Sequence, residues 1–96
     1  MDIIQLQKIA QEHHVKRLEL FGSAVKGKSK PNDYDFLVEF QPMEPLQHGR
    51  MYFALLESLE NMLSSKVDLI ELEALTNPYF LQAIADERVI VYANWA

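Results

Sequence analysis

Ninety-six residues, 49% hydrophobic and 24% charged, describe a foldable globular chain rather than a disordered one, and the length predicts a single domain over residues 1–96. The absence of cysteine excludes disulfides, thiolate zinc sites and cysteine nucleophiles together. Nine Lys and Arg against fourteen Asp and Glu leave a net charge of −5, which argues against direct nucleic-acid binding through phosphate neutralisation.

The opening residues Met1-Asp2-Ile3-Ile4-Gln5 have neither the basic stretch nor the apolar run of a signal peptide. The longest apolar run, residues 51–56, falls far short of the ~20 residues that span a bilayer, so the expectation is a cytoplasmic protein without membrane contact. Ile3, Leu6, Ile9, Ala10 and His13 recur at helical spacing, with Asp2 placed to cap the helix and Gln5 three residues on. His13-His14 reads as its polar end, since a paired-histidine metal site on a helix needs i, i+4 spacing. Residues 16–21, KRLELF, alternate Leu18 and Leu20 with Arg17 and Glu19 and predict a strand that Gly22-Ser23 breaks.

Residues 33–40, DYDFLVEF, place Tyr34, Phe36, Val38 and Phe40 on one face of a second strand. Pro42 and Pro45 bracket a predicted loop. The longest helix is expected over about residues 49–64, where Tyr52, Leu55, Leu56, Leu59, Met62 and Leu63 form an apolar stripe belonging to the core. VDLIEL, residues 67–72, is a third strand, and Asn77-Pro78 opens a short helix to about Asp86. RVIVY, residues 88–92, closes the series as a fourth strand. The order α-β-(short α)-β-α-β-α-β implies an α/β (α+β) fold in which helices flank a small mixed sheet.

One loop supports two phosphate chemistries. Residues 22–29, GSAVKGKS, match G-x-x-x-x-G-K-[ST], the loop whose backbone N–H groups cradle phosphates, but that motif requires a helix to begin at its end. Here Pro31 and Asn32 follow at once, and then a strand. The competing pattern is Gly22-Ser23, nine residues, then Asp33-Tyr34-Asp35. On a strand, Asp33 and Asp35 face the same way with Cα atoms roughly 7 Å apart. Aspartate is depleted inside strands, and Asp68 repeats the anomaly within KVDLIEL. Three converging carboxylates need cations, and hard oxygen ligands favour Mg²⁺ or Mn²⁺. Two such ions would clamp the attacking and leaving oxygens of a displacement at phosphorus. Gly22 allows backbone to approach a phosphate, Ser23 offers a hydroxyl and an N–H, and Lys26 is the candidate phosphate contact among Lys26, Lys28 and Lys30.

The runs LFGSAVKGKSKPNDYDFLVEF, KVDLIELEAL and NPYFLQAIADERVIVY resemble the minimal nucleotidyltransferases (MNT) of the polymerase-β-like superfamily, in particular the antitoxins paired with HEPN toxins. The resemblance covers nearly the whole chain and implies the nucleotidyltransferase fold. By it, Gly22 and Ser23 hold the triphosphate of ATP, and Asp33 and Asp35 bind the metal ions. Asp68 is the third carboxylate, a metal ligand or the base that takes the acceptor's proton. The implied activity is transfer of AMP from ATP to a hydroxyl of a partner HEPN-type toxin, a tyrosine in the family, which silences an RNase within a hetero-oligomer. Lys26 stands where the family often has Arg, and Asn32 where it has Ser. Larger relatives carry a second helical domain, so a partner is expected to complete the pocket, in agreement with the resemblance, and residues 41–50 and the tail near Trp95 are the expected partner contacts. The alternative is an antitoxin without catalysis that neutralises its toxin by covering it.

Overall fold

The computed structural model describes residues 2–22, 34–74, 79, 82 and 88–94. Ser23, Lys26 and Asp33, the predicted helix after Asn77 apart from helical Tyr79 and Gln82, and the tail at Trp95 lie outside these described residues.

Helix α1 spans Ile3–Glu12, and the Asp2 carboxylate caps it by accepting the Gln5 N–H at 3.1 Å. Leu6 and Ala10, one turn apart, are its buried residues. His13 ends the helix and its ring Nδ1 donates to the Ile9 carbonyl at 2.7 Å, while His14 takes a positive φ of 58° that turns the chain into the sheet. Strands β1 (Val15–Phe21), β2 (Tyr34–Phe40), β3 (Val67–Glu71) and β4 (Arg88–Ala93) form one sheet in the order β3-β2-β1-β4. β1 pairs antiparallel with both β2 and β4, whereas β2 and β3 are parallel. The parallel pair needs a long crossover, which helix α2 (Pro45–Leu63) supplies.

α2 starts four residues before its predicted start at Gly49, so residues 45–48, expected outside the helix, are helical. Pro45 occupies the first helical turn, where its missing N–H is not needed and its fixed φ suits the helix. The helix ends at Ser64, in the left-handed region at φ 51°. β3 is one residue shorter than expected because Leu72 enters a 3-10 turn, Leu72–Ala74.

Both helices cover one face of the sheet. Leu6, Ala10, Leu18, Leu20, Phe36, Val38, Phe40, Leu55, Leu59, Leu69 and Val91 close together there. Burying each large member stabilises the fold by roughly 1.5–3 kcal/mol. On the other face Phe21 and Leu37 are buried with Ile70 against them. Glu19 shares that face and is 3% exposed, its charge matched by Arg88 at 3.0 Å and Arg17 at 3.4 Å. The arginine from β4 and the glutamate from β1 thus tie two strands together.

The two sides of α2 should respond differently to truncation. Leu55→Ala, at a fully buried site, is expected to cost about 2–5 kcal/mol in urea unfolding. Phe53→Ala, at a site 68% exposed, should stay within about 0.5 kcal/mol of wild type, and equal losses would contradict this packing.

Candidate active site at one end of the sheet

The described site residues meet where β1 ends and where β2 and β3 begin. Phe36 and Leu69 face the helices, so their predecessors Asp35 and Asp68 project from the opposite face. Asp35 and Asp68 are direct partners in the parallel register, on strands about 4.8 Å apart. Two carboxylates so placed repel one another, and a cation between them reverses that effect. Phe21 is the partner of Asp35 on β1, and Arg88 is the partner of Phe21 on β4, which completes one row across all four strands.

Gly22 follows Phe21 with φ 82°, and a Cβ built on it would sit 3.0 Å from Asp35 Oδ2. The carboxylate therefore occupies the space a side chain would fill. Of the six residues singled out from the sequence, the structure brings Gly22, Asp35 and Asp68 to one place. Ser23, Lys26 and Asp33 lie outside the described residues.

The donors fit Mg²⁺. It takes hard oxygen ligands, usually one or two carboxylates, and completes its shell with waters and substrate phosphates. Among the described residues no group of three His, Cys, Asp or Glu side chains could hold an ion, which leaves this pair with Asp33 as the sequence-predicted third ligand.

Three α2 side chains that the sequence reading did not single out for chemistry bond to β3. Tyr52 donates its hydroxyl to the Leu69 carbonyl at 2.6 Å. The Glu60 carboxylate accepts the Val67 N–H at 3.1 Å. His48 bonds through Nε2 to the Glu71 carboxylate and packs its ring on Phe40. The available signal was spacing: His48, Tyr52 and Glu60 fall at i, i+4 and i+12 on one helix. Burial raises the Tyr52 pKa above the usual tyrosine value, and the negative charges of Glu71 and Asp68 push it the same way.

A cavity of about 310 Å³ lies at the other end of β2, lined by Lys16, Glu39, Phe40, Met43 and His48 among others. Lys16 is paired there with Glu39 at 3.7 Å, and the aspartates take no part.

The family model described as polymerase beta, nucleotidyltransferase matches residues 4–95. The chain belongs to this nucleotidyltransferase family. It is 33% identical over 84 residues to a Methanocaldococcus jannaschii protein named "Putative protein adenylyltransferase MJ1379", a match that covers 86% of this chain and 83% of the relative. Two solved structures share the fold. A toxin–antitoxin crystal structure with AMP-PNP superposes with a TM-score of 0.71 at 18% identity, over 99% of this chain and 76% of that one. A Shewanella oneidensis structure of a tri-AMPylated HEPN toxin in complex with an MNT antitoxin superposes with a TM-score of 0.62 at 18% identity, over 96% and 70%. The nucleotidyltransferase class and the mixed-sheet fold are therefore those expected from the sequence.

Two glycines should answer in opposite directions. Gly22→Ala adds a Cβ against Asp35 in a left-handed backbone and is expected to destabilise by about 1–3 kcal/mol. Gly49→Ala, inside α2 with nothing within 4 Å of the new Cβ, should stabilise by about 0.5–1 kcal/mol in the same urea experiment. Tyr52 gives a pH test. Its raised folded-state pKa means that the neutral phenol is favoured by folding, so this stability is fully present below the ordinary tyrosine pKa of about 10. It is lost as pH climbs through the higher folded value. Ultraviolet titration should show a late component that Tyr52→Phe removes, and an unchanged late component in that variant would refute the assignment.

Proposed function

We propose that the chain transfers AMP from ATP to a hydroxyl group of a partner protein in a Mg²⁺-dependent reaction, and that it acts as the antitoxin of a HEPN-type toxin. The observation that carries this reading is the direct pairing of Asp35 with Asp68 across parallel strands, beside a glycine with no side chain. The M. jannaschii relative's name supports protein as the acceptor, and the S. oneidensis complex supports a HEPN toxin as the partner. No described helix is long and apolar enough to cross a membrane.

In this reading Asp33, Asp35 and Asp68 hold the metal ions, and Gly22, Ser23 and Lys26 receive the triphosphate. Bound Mg²⁺ supplies charge neutralisation on the phosphates and on the attacking oxygen. The acceptor oxygen, a tyrosine hydroxyl by family resemblance, attacks the α-phosphorus. An O–P bond forms, the bond from the α-phosphorus to the bridging oxygen breaks, and pyrophosphate leaves with that oxygen. Asp68 accepts the hydroxyl proton. Asp35, packed on the Gly22 backbone, keeps its carboxylate fixed while charge shifts towards the leaving group. Positioning and electrostatics account for the rate, and no covalent enzyme intermediate is needed.

The test compares ATP labelled at the α- or the γ-phosphate, with Mg²⁺, and follows label into a co-expressed partner or lysate protein. Label from the α-position only, reduced at least about hundredfold by Asp35→Asn or Asp68→Asn, is expected. Label from the γ-position would replace this reading with phosphoryl transfer at the 22–29 loop. If no label transfers but a partner is still retained, the chain neutralises by binding alone.

A further inference from the structure

The geometry points to Tyr52 and Glu60 as positioning residues that hold Asp68 in place from behind its strand. This inference deepens the adenylyl-transfer reading above and rests on it. β3 is five residues long and pairs within the described sheet on one side only, with β2. An edge strand of that length has few bonds to fix the height of any one residue. Asp68 is bracketed by two bonds from α2. Val67 N–H, on its amino side, is held by the Glu60 carboxylate at 3.1 Å, and the Leu69 carbonyl, on its carboxyl side, receives the Tyr52 hydroxyl at 2.6 Å.

Val67, Leu69 and Glu71 alternate along the strand, and each meets a different α2 side chain, with His48 on Glu71 as the third tie. These ties act on the backbone at the open edge of β3 and on Glu71, and none of them is made to the Asp68 side chain. They leave the carboxylate clear for its ligands while removing the strand's freedom to shift. The same helix is the crossover that joins β2 to β3, so the connection and the ties belong to one element.

Tyr52→Phe deletes one hydrogen bond and keeps the ring. Glu60→Ala deletes the other, and Glu60→Gln keeps an acceptor oxygen. Mn²⁺ binding is read by electron paramagnetic resonance with a non-hydrolysable ATP analogue, beside transfer from α-labelled ATP. Tyr52→Phe and Glu60→Ala should each weaken Mn²⁺ binding about tenfold and lower kcat by a similar factor, with the KM for ATP within about twofold. Glu60→Gln should stay near wild type. In an Asp68→Asn background Tyr52→Phe should change Mn²⁺ affinity by less than about twofold, because the tie acts only through that carboxylate.

Unchanged Mn²⁺ affinity in Tyr52→Phe, or an equal loss in the Asp68→Asn background, overturns the inference. Tyr52→Phe decides alone if Glu60→Ala does not fold. A wild type that transfers no label but binds Mn²⁺ defeats the adenylyl-transfer reading, and the binding comparison still judges the positioning role. A wild type that binds no Mn²⁺ defeats both.

Discussion

The register between β2 and β3 is the constraint on which the site depends. In a parallel pair a slip of one residue moves every side chain of a strand to the other face. Such a slip would drive Asp68 into the helix-side core and turn Leu69 out to the opposite face. The apolar pattern prevents this. Phe36 and Leu69 are register partners and both are buried against the helices, so the hydrophobic effect fixes the frame in which Asp35 meets Asp68. The carboxylates occupy positions that core packing has already assigned.

Repulsion between those carboxylates opposes folding of the chain without ligands, and the surrounding structure offsets it. The apolar core on the helix side supplies the bulk stability. Buried Glu19 with Arg88 and Arg17 links the sheet's other half, where β4 has one described neighbour. A buried glutamate flanked by two arginines keeps its geometry because its charge would be buried uncompensated without them.

Much of this was legible in the sequence, for physical reasons. Two-residue periodicity in DYDFLVEF and VDLIEL reports strands packed on one face, and it makes an aspartate at the off-beat position conspicuous. The Asp2 cap and the stripe from Tyr52 to Leu63 were readable because capping and helical amphipathicity are local. The early start of α2 was not: Pro42 and Pro45 look alike as punctuation, and only the chain's path decides which one begins a helix. Burial of Glu19 was equally hidden, because it depends on Arg88 from a strand 69 positions away. Tyr52 looked like core because its ring is core; the hydroxyl's partner is a backbone carbonyl, which no side-chain pattern reveals. Ser23, Lys26 and Asp33, legible as a motif, stand outside the described residues.

Antiparallel pairing of β1 separates the ends of the sheet by purpose. The connections at residues 13–14 and 41–44 meet at the end remote from the aspartates, where the Gln41 N–H donates to the His14 carbonyl at 2.9 Å. The chain leaves β4 at that end as well, with Asn94 donating to the Lys16 carbonyl. Changes of length there are insulated from the carboxylates by the full length of the strands. A change of length at that end therefore reaches whatever docks on residues 41–44 or the chain after Asn94 without moving the aspartates at the opposite rim.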